Sequence, residues 1–205
     1  MPPLRLRGAG VPARAARPLV FLPLLVVALA AVAGCGEPGD EKAFRPGQAA
    51  REGIAVDLDD VDYEIFITRQ LNLADPEDKQ YYQGRPAPPG SALYGVFLRA
   101  CAVEGARGVP TASGRMRITN IRGKAYRPLP LGRDNVFAYR PGPLKPGQCE
   151  PNAASATSYG PTGGSMVLFQ IPVSDTENRP FELEIAGRPP AAGKPPKVAR
   201  FQLDL

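Results

Sequence analysis

Apolar and polar residues alternate over much of the chain after its first quarter. Val56 and Leu58 alternate with aspartates, and after a slip of one residue at Asp59 and Asp60 the alternation resumes over Val61–Leu71. A period of two residues predicts half-buried β-strands, and the slip predicts a turn or bulge between them. The folded part of the chain is therefore predicted to open with a pair of neighbouring strands.

Further strands are predicted where short apolar or alternating runs are bounded by proline, glycine or asparagine. These runs cover residues 92–103, 115–121, 124–129, 165–171, 181–185 and 198–205, with short extended pieces around 135–139. The first run is nearly continuous in apolar residues, which predicts a central strand. The second and third, separated by Arg122-Gly123, predict a hairpin.

The remaining segments predict loops rather than long helices. Residues 72–90 hold several prolines and a Tyr-Tyr pair, which predicts a long loop with one helical turn at 76–79, and residues 174–178 predict another turn. Loops of that length within compact domains are often functional. About seven to eight short strands without a long amphipathic helix predict an all-β fold, an antiparallel immunoglobulin-like β-sandwich.

The N-terminus carries the most apolar stretch of the chain. Four arginines and no acidic residue precede an apolar segment over residues 19–33, and Ala33-Gly34-Cys35 follows. The basic start and the length of the apolar run are typical of an export signal, and the run is short for a membrane span of roughly 20 residues. The last residues resemble the lipobox of bacterial lipoproteins, in which a cysteine is lipidated and the peptide before it is removed.

This resemblance implies a cellular location and a division of the chain into three parts. Residues 1–34 would be a lipoprotein signal peptide, residues 35–53 a lipidated N-terminus with a flexible tether, and residues 54–205 the β-sandwich domain. Cys35 would hold the protein in membrane lipid at the extracytoplasmic face of the cell membrane, because several acyl chains make release negligible. An ordinary cleaved signal and an uncleaved single-span anchor remain the alternatives.

The net charge and the absence of histidine narrow the range of possible functions. Four of the 25 Lys and Arg residues lie in the leader, which leaves 21 basic groups against 20 acidic ones. This balance does not indicate nucleic-acid binding. The chain contains no histidine, which excludes Ser-His-Asp and Cys-His nucleophiles and histidine-based metal sites. Neither an Ser-x-x-Lys motif nor a phosphate-binding glycine loop occurs, so the chain is predicted not to be an enzyme and to need no cofactor.

The chain has three cysteines, an odd number. With Cys35 lipidated, Cys101 and Cys149 remain, and in an oxidising compartment they are predicted to form a disulfide. Two unpaired buried thiols, or a two-cysteine metal site, are the alternatives.

Several motifs together resemble a known group of proteins. They are TRQLN at 68–72, DPED at 75–78, LYGVFL at 93–98, YRPLPL at 126–131, NVFAYRP at 135–141, MVLFQIP at 166–172 and ENRP at 177–180. Over roughly residues 61–205 the chain resembles secreted or lipid-anchored bacterial proteins with a telokin-like, immunoglobulin-like extracellular domain of unknown function. The resemblance implies a fold and supplies no catalytic residues.

Two charged clusters are candidate contact sites. The acids Asp57, Asp59, Asp60 and Asp62 are weak candidates for a calcium site, because they lack the turn glycine of an EF-hand loop and are spread along a strand. A solvated strand face is the alternative. A basic hairpin holds Arg115, Arg117, Arg122, Lys124 and Arg127. It is predicted either to contact anionic lipids or wall polymers, or to face the acidic strand.

Loop aromatics supply the candidate binding residues, which are Tyr81, Tyr82, Phe137, Tyr139 and Arg140. Tyrosine offers apolar area with a hydroxyl and is typical of binding surfaces, although packing of the loops onto the sandwich is an alternative. The sequence thus favours a lipid-anchored interaction module for an envelope protein or a cell-wall component. An envelope carrier of a small ligand or calcium ion is the alternative, and a cell-wall hydrolase a weaker one.

Overall fold

The computed structural model describes residues 48–106, 108–190 and 194–205. The predicted signal peptide, Cys35 and most of the predicted tether lie outside these residues. Within them the chain forms twelve β-strands and two short α-helices. The strands are β1 (Ala50–Arg51), β2 (Val56–Asp57), β3 (Val61–Leu71), β4 (Ser91–Ala102), β5 (Thr111–Ala112), β6 (Met116–Asn120), β7 (Ala125–Tyr126), β8 (Gly142–Pro143), β9 (Cys149–Glu150), β10 (Ser165–Pro172), β11 (Phe181–Ala186) and β12 (Val198–Leu203). The helices are α1 (Pro76–Tyr81) and α2 (Ala156–Tyr159), and Val173–Asp175 forms a 3-10 turn.

The strands pack as a β-sandwich. One sheet has the order β1-β12-β11-β6-β7, and the other has the order β10-β4-β3-β2 with β9 beside β4; β5 and β8 pair separately. Neighbouring strands are antiparallel except β1 and β12, which are parallel. The predicted all-β antiparallel sandwich is confirmed. The number of described strands exceeds the predicted seven to eight because six of them have only two residues.

The slip in the alternation at Asp59 and Asp60 is a tight turn. Both residues have a positive φ, 57° and 69°, as the two-residue turn of a twisted hairpin requires. Leu58 and Val61 close the turn, the Leu58 N–H donating to the Val61 carbonyl at 2.8 Å. The bulge lies further along, where the pairing of β3 with β4 shifts register between Ile65 and Ile67.

The ordered sheet begins before residue 54. Ala50 is buried and pairs with Phe201 of β12, and the Gly53 N–H donates to the Ile65 carbonyl at 2.6 Å. Glu52 accepts a hydrogen bond of 2.5 Å from the Thr68 hydroxyl. Residues 50–53, which the sequence analysis placed in the tether, are therefore part of the sandwich.

The predicted hairpin at residues 115–129 is present but shorter. Ile118 pairs with Tyr126, and the Asn120 side chain accepts from the Arg122 and Lys124 N–H groups at 3.1 and 2.9 Å. Beyond β7 the chain leaves this sheet, and Leu129 bridges to Leu168 of β10 in the other one. Residues 135–139 form a turn rather than a strand, with a single bridge from Ala138 to Met166.

The apolar residues form two clusters, one on each face of the β10-β4-β3-β2 sheet. The larger, here called the inner core, lies between the sheets and includes Phe169, Phe181 and Phe201, all fully buried. The smaller, here called the outer cluster, consists of Leu71, Tyr81, Leu93, Phe97, Met166 and Leu168. Along β4 even-numbered residues face the inner core, whereas Leu93 and Phe97 face the outer cluster. A strand buried on both faces explains the continuous apolar run seen in the sequence.

A disulfide joins Cys101 of β4 to Cys149 of β9, which are directly paired across the two strands, with their Cα atoms 4.0 Å apart. The predicted disulfide is confirmed, which removes the alternatives of free thiols and of a two-cysteine metal site. The bond spans a sequence separation of 48 residues, for which the chain-entropy model gives a stabilisation of roughly 4 kcal/mol.

Candidate functional site

Two loops cover the outer cluster and together form what is here called the outer layer, residues 72–90 and 129–140. The first loop contains α1, whose N-terminus is capped by Asp75; its carboxylate accepts from the Glu77 N–H at 2.8 Å. Pro76 occupies the first helical position, where the missing N–H costs nothing. The helix extends to Tyr81, two residues beyond the predicted turn.

A largely buried acid fixes α1 to the end of β3. The Asp78 carboxylate accepts from the Asn72 N–H at 2.7 Å, and Arg69 Nε lies 2.8 Å from Asp78 Oδ1. That second contact is ionic rather than a well-aligned hydrogen bond, so one carboxylate oxygen lacks a hydrogen-bond partner among the described residues. Arg69 also donates to Glu77 at 2.8 Å. One guanidinium thus holds two acids of the same helix.

Tyr81 is a core residue of the outer cluster. Its side chain is 3% exposed, and its ring packs edge-on against Phe97 and Phe137 with centroids 5.0 and 4.9 Å apart. Phe137 is partly buried against the same cluster. The prediction that Tyr81 forms part of a binding surface is therefore wrong. Tyr81 lies at the end of α1, and its ring packs on the outer apolar face of the β10-β4-β3-β2 sheet instead.

Tyr139 is also internal. It is 8% exposed, belongs to the inner core and donates its hydroxyl to the Ser113 carbonyl at 3.0 Å. Burial, together with the neighbouring Tyr63, raises the pKa of Tyr139 far above its usual value. The Tyr63 hydroxyl accepts from the Ser113 N–H at 2.6 Å. The two tyrosines thus anchor the chain at Ser113, and the prediction of Tyr139 as a binding residue is wrong as well.

Arg140 and Asn135 hold the second loop of the outer layer in shape. The Arg140 guanidinium donates to the carbonyls of Gly132 and Asn135 at 2.6 and 3.2 Å. The Asn135 side chain donates to the Tyr81 carbonyl at 2.9 Å and accepts from the Phe137 N–H at 2.9 Å. Arg140 therefore acts from within its own loop as a positioning residue, and Asn135 links the two loops.

Tyr82, another of the predicted aromatic residues, lines an open cleft. The cleft has a volume of about 520 Å³, within the roughly 300–1,000 Å³ range of ligand sites. Its walls come from both loops of the outer layer: Gln80, Tyr82, Gln83, Gly84, Leu131, Gly132, Asp134, Asn135 and Val136. Val136 is 73% exposed. We call this space the main cleft.

A second cleft of about 380 Å³ shares part of its lining with the main cleft. Its lining residues are Leu73, Ala74, Lys79, Tyr82, Gln83, Gly84 and Pro86. Residues 82–84 therefore border both clefts, and this segment is here called the ridge. The Tyr82 ring lies directly against Gly84, where a Cβ atom would overlap the ring. Because Gly84 has no side chain, the aromatic ring can lie on the backbone of the ridge.

The main cleft carries one carboxylate, that of Asp134, among its lining residues. Glycoside hydrolysis ordinarily needs two carboxyl groups on either side of the scissile bond, and the sequence has no histidine to serve as a general base. The hydrolase alternative therefore receives no support from the residues that line this cleft.

The acidic residues around the β2–β3 turn do not converge on a common point. Asp59 accepts from the Arg188 N–H at 2.6 Å and lies 3.5 Å from Lys197 Nζ, and Asp60 lies 3.7 Å from the Arg188 guanidinium. Among the residues that the structure describes, no group of three or more histidine, cysteine or acidic side chains could hold a metal ion. The calcium alternative has no assembled ligand set there.

Asp57 and Asp62 face each other across the β2–β3 pair. Desolvation, followed by repulsion from Asp62 and Asp60, raises the pKa of Asp57. Like charges opposed on neighbouring strands destabilise a sheet.

The basic hairpin finds its acidic partners in its own sheet and in the 3-10 turn. Arg117 donates to Glu184 at 2.5 Å and Lys124 donates to Asp175 at 2.5 Å. The expectation that the hairpin faces the acidic strand is wrong, because its described ion pairs are with Glu184 and Asp175 and none is with the acids of β2, β3 or the turn between them. Burial alone would raise the pKa of Glu184, but hydrogen bonds from Arg117 and Arg200 lower it below its usual value.

A third, small cavity of about 130 Å³ lies beside β10, lined largely by apolar side chains such as Met116, Leu129 and Met166. Its volume is below the roughly 300 Å³ at which ligand sites begin. This cavity therefore does not support the alternative of an internal small-ligand carrier.

Comparisons with known proteins do not place the chain in a family. No family model matches the chain, and no curated protein matches it. Among solved structures, the chain has a likeness to an uncharacterized β-sandwich protein from Clostridium difficile 630, with 10% sequence identity and a TM-score of 0.38, over 80% of this chain and 100% of that one. This likeness carries no statement about function. No helix in the described part of the chain has the length and apolarity needed to cross a bilayer.

Most of the main cleft was not predicted from the sequence. Gln80, Gln83 and Asp134 line it and lie outside the quoted motifs, whereas Val136 lies in the motif at 135–141, which implied a fold and no binding role. The available signal was the length of the two loops, because long loops on a rigid sandwich commonly carry binding residues. The pairing of Tyr82 with Gly84 two residues later would have been a more specific clue.

Proposed function

We propose that the chain is a lipid-anchored, non-enzymatic binding module of the cell envelope that engages its partner through the main cleft. The observation that carries this proposal is a cleft of about 520 Å³ whose walls come from two loops fixed to the same sheet. The partner is an envelope protein or a cell-wall component. For the sandwich itself we propose the telokin-like subtype, supported by the motifs over residues 61–205.

The geometry of the cleft supports binding over catalysis. Asn135 joins the two loops, and Arg140 holds the carbonyls of the second one. A site whose walls are already fixed loses less conformational entropy when a ligand binds. One lining carboxylate without a second acid or a histidine offers no acid–base pair. These features favour a surface that holds a partner without changing it.

The proposal of a lipid anchor is tested separately from that of the cleft. Replacement of Cys35 by alanine is expected to prevent metabolic labelling with palmitate and to move the protein out of the membrane fraction. The reason is that the acyl chains supply the membrane affinity, at about 0.8 kcal/mol for each buried methylene. Unchanged labelling and fractionation of the C35A variant would contradict the anchor.

Site-specific photo-crosslinking on intact cells tests the cleft. A benzophenone amino acid placed at Val136, which lines the cleft and is 73% exposed, is expected to give a discrete adduct. The same probe at Val109, which is 65% exposed and outside the cleft, is the matched control. The adduct should disappear when Tyr82 is replaced by alanine in the Val136 probe strain.

Two outcomes would overturn the binding proposal. The first is the absence of any adduct at position 136, and the second is the same adduct at positions 136 and 109. Thermal melting of each probe-bearing protein must match that of the parent, so that a failure of folding is not mistaken for loss of binding.

A further inference from the structure

We infer that the ligand of the main cleft is a neutral, hydroxyl-rich glycan chain, bound across Tyr82. This inference rests on the proposed function and names the ligand class of the same site. It follows from the charge, the hydrogen-bonding groups and the aromatic surface that the lining residues present.

The charge of the main cleft disfavours anionic ligands, and its polar groups disfavour apolar ones. Its lining residues include the carboxylate of Asp134 and no lysine or arginine. A phosphate or carboxylate ligand would meet like charge and no cation, which costs free energy in a partly desolvated site. The walls mix apolar side chains with amide, carboxylate and backbone groups, so an acyl chain would leave polar groups without hydrogen-bond partners. A ligand without net charge but with many polar groups fits this lining.

The hydrogen-bonding groups of the cleft are of two kinds. The Asn135 side chain is used within the protein, since it donates to Tyr81 and accepts from Phe137. The side chains of Gln80 and Gln83, both exposed, have no hydrogen-bond partner among the described residues. Each such amide offers two donors and an acceptor, and the Asp134 carboxylate adds acceptors. This set matches hydroxyl groups, which both donate and accept.

Tyr82 supplies the aromatic surface. Its ring lies against the backbone at Gly84 and borders both clefts. The face of an aromatic ring carries partial negative charge and attracts polarised C–H groups, and the phenol adds a hydrogen-bonding end. A pyranose ring presents C–H groups on a face and hydroxyls at its edge. An aromatic platform flanked by free amides therefore matches a sugar ring better than it matches a peptide backbone.

The two clefts that the ridge borders indicate a ligand longer than one sugar. The main cleft and the second cleft share Tyr82, Gln83 and Gly84, so a chain that extends from one cleft into the other passes along Tyr82. Affinity is therefore expected to rise from a monosaccharide to a disaccharide and a tetrasaccharide.

Isothermal titration calorimetry of the mature full-length chain in detergent tests this inference. The probes are chito-oligosaccharides and malto-oligosaccharides, which are neutral, and peptide-free glycan strands from peptidoglycan, whose lactyl groups carry carboxylates. We expect at least one of the two neutral glycans to bind, with affinity that increases with chain length, and binding of the acidic strands alone would contradict the inference. Replacement of Tyr82 by alanine should weaken it about tenfold or more, the equivalent of about 1.4 kcal/mol.

Two variants keep the test independent of folding. Gln83→Ala removes an exposed amide that lines both clefts, and it is expected to weaken glycan binding without lowering the melting temperature. Tyr159→Ala is the matched control, because Tyr159 is 81% exposed and lies on α2, outside both clefts. It should leave the Kd unchanged. Binding to a neutral glycan should also vary little between about 0.05 and about 0.5 M salt, since no charge pair is formed.

The outcomes separate this inference from the proposed function. If the Val136 probe captures a partner in a Tyr82-dependent way but no glycan binds, the binding module stands and the ligand class is wrong. Glycan binding that survives Tyr82→Ala and Gln83→Ala, or that falls steeply with salt, would overturn the assignment of the glycan to this cleft.

Discussion

The two sheets of the sandwich differ in how many faces they bury. In the β1-β12-β11-β6-β7 sheet, buried and more exposed residues alternate along β6 and β11, so one face packs on the inner core and the other meets solvent. In the other sheet, seven successive residues of β4 are buried, 92–98. That sheet has the inner core on one face and the outer cluster on the other.

This difference shows why the candidate site lies where it does. A sheet with a second apolar face must cover it, and here loops rather than another sheet provide the cover. Once Tyr81 is buried between Phe97 and Phe137, the adjacent segment 82–84 is held at the edge of the cover. The main cleft is thus a consequence of covering the outer face, and its walls are held by that packing and by the Asn135–Tyr81 hydrogen bond.

The largest expected effect on stability comes from creating a cavity in each apolar cluster in turn. Phe201 in the inner core and Phe97 in the outer cluster are both fully buried. Phe201→Ala and Phe97→Ala should each lower the free energy of unfolding by about 3–5 kcal/mol. Chemical denaturation measures the loss, and amide hydrogen exchange locates it.

The pattern of amide hydrogen exchange distinguishes the inner core from the outer cluster. With Phe201→Ala, protection should fall across both sheets, because the cavity lies between them. With Phe97→Ala, the amides that join the outer layer to β10, those of Leu129 and Tyr139, should exchange faster while β11 and β12 keep most of their protection. Identical exchange maps for the two variants would refute the distinction between the regions.

A smaller effect is expected from releasing α1. Arg69→Met removes the cation beside Asp78 and leaves a buried carboxylate with the Asn72 N–H as its neighbour. Breaking a buried ion pair typically costs 3–5 kcal/mol, but the Arg69 side chain is partly exposed, so we expect about 2 kcal/mol. The loss should appear as faster amide exchange in α1.

Arg99→Met is the matched control for this change. Arg99 pairs with Glu64 at 2.7 Å on a more exposed part of the same sheet, and exposed pairs contribute roughly 0–1 kcal/mol. Equal losses for the two arginine variants would show that Asp78 does not anchor the helix.

The smallest effect should be a gain in stability from Asp57→Asn at neutral pH. The pKa of Asp57 is raised in the folded state by desolvation and by Asp62 and Asp60. The folded protein therefore holds this proton to a higher pH than the unfolded chain, and stability falls as pH rises through the folded pKa. Removing the charge should add about 0.5 kcal/mol at neutral pH, as expected for opposed like charges on a sheet.

The pH dependence provides the check. The advantage of Asp57→Asn should vanish at acid pH, below both pKa values of Asp57, where the carboxyl is protonated in the folded and unfolded states. Asp204→Asn, at an exposed residue near the C-terminus, should show little change at either pH. A pH-independent gain would mean that something other than charge repulsion is relieved.

Most of the long strands were predictable because their signal is local. The alternation in Val61–Leu71 marks β3, and the same rule locates β11 and β12. Two-residue strands such as β1 and β8 exist through pairing with distant partners, so their own residues carry no periodic signal. The bulge at Ile65 and Ile67 likewise depends on the partner strand.

The candidate site was harder to predict for a related reason. Tyr81 and Tyr82 are chemically equivalent in the sequence, yet Tyr81 is buried and Tyr82 lines the cleft. The difference comes from the end of α1 at Tyr81 and from Gly84, which accepts the ring of its neighbour. Neither the helix end nor the second apolar face of β4 can be read from the pair itself.

The Cys101–Cys149 bond makes the polypeptide a covalent ring over that interval. Leu131 and Asp134 of the main cleft belong to the ring, whereas Gln80 and Tyr82 precede it. A protease that cuts once within the ring, for example after Arg122 or Arg133, opens it without releasing a fragment. The two halves of the binding site would stay on one molecule after such damage and would separate only once the sulfur bridge was also reduced.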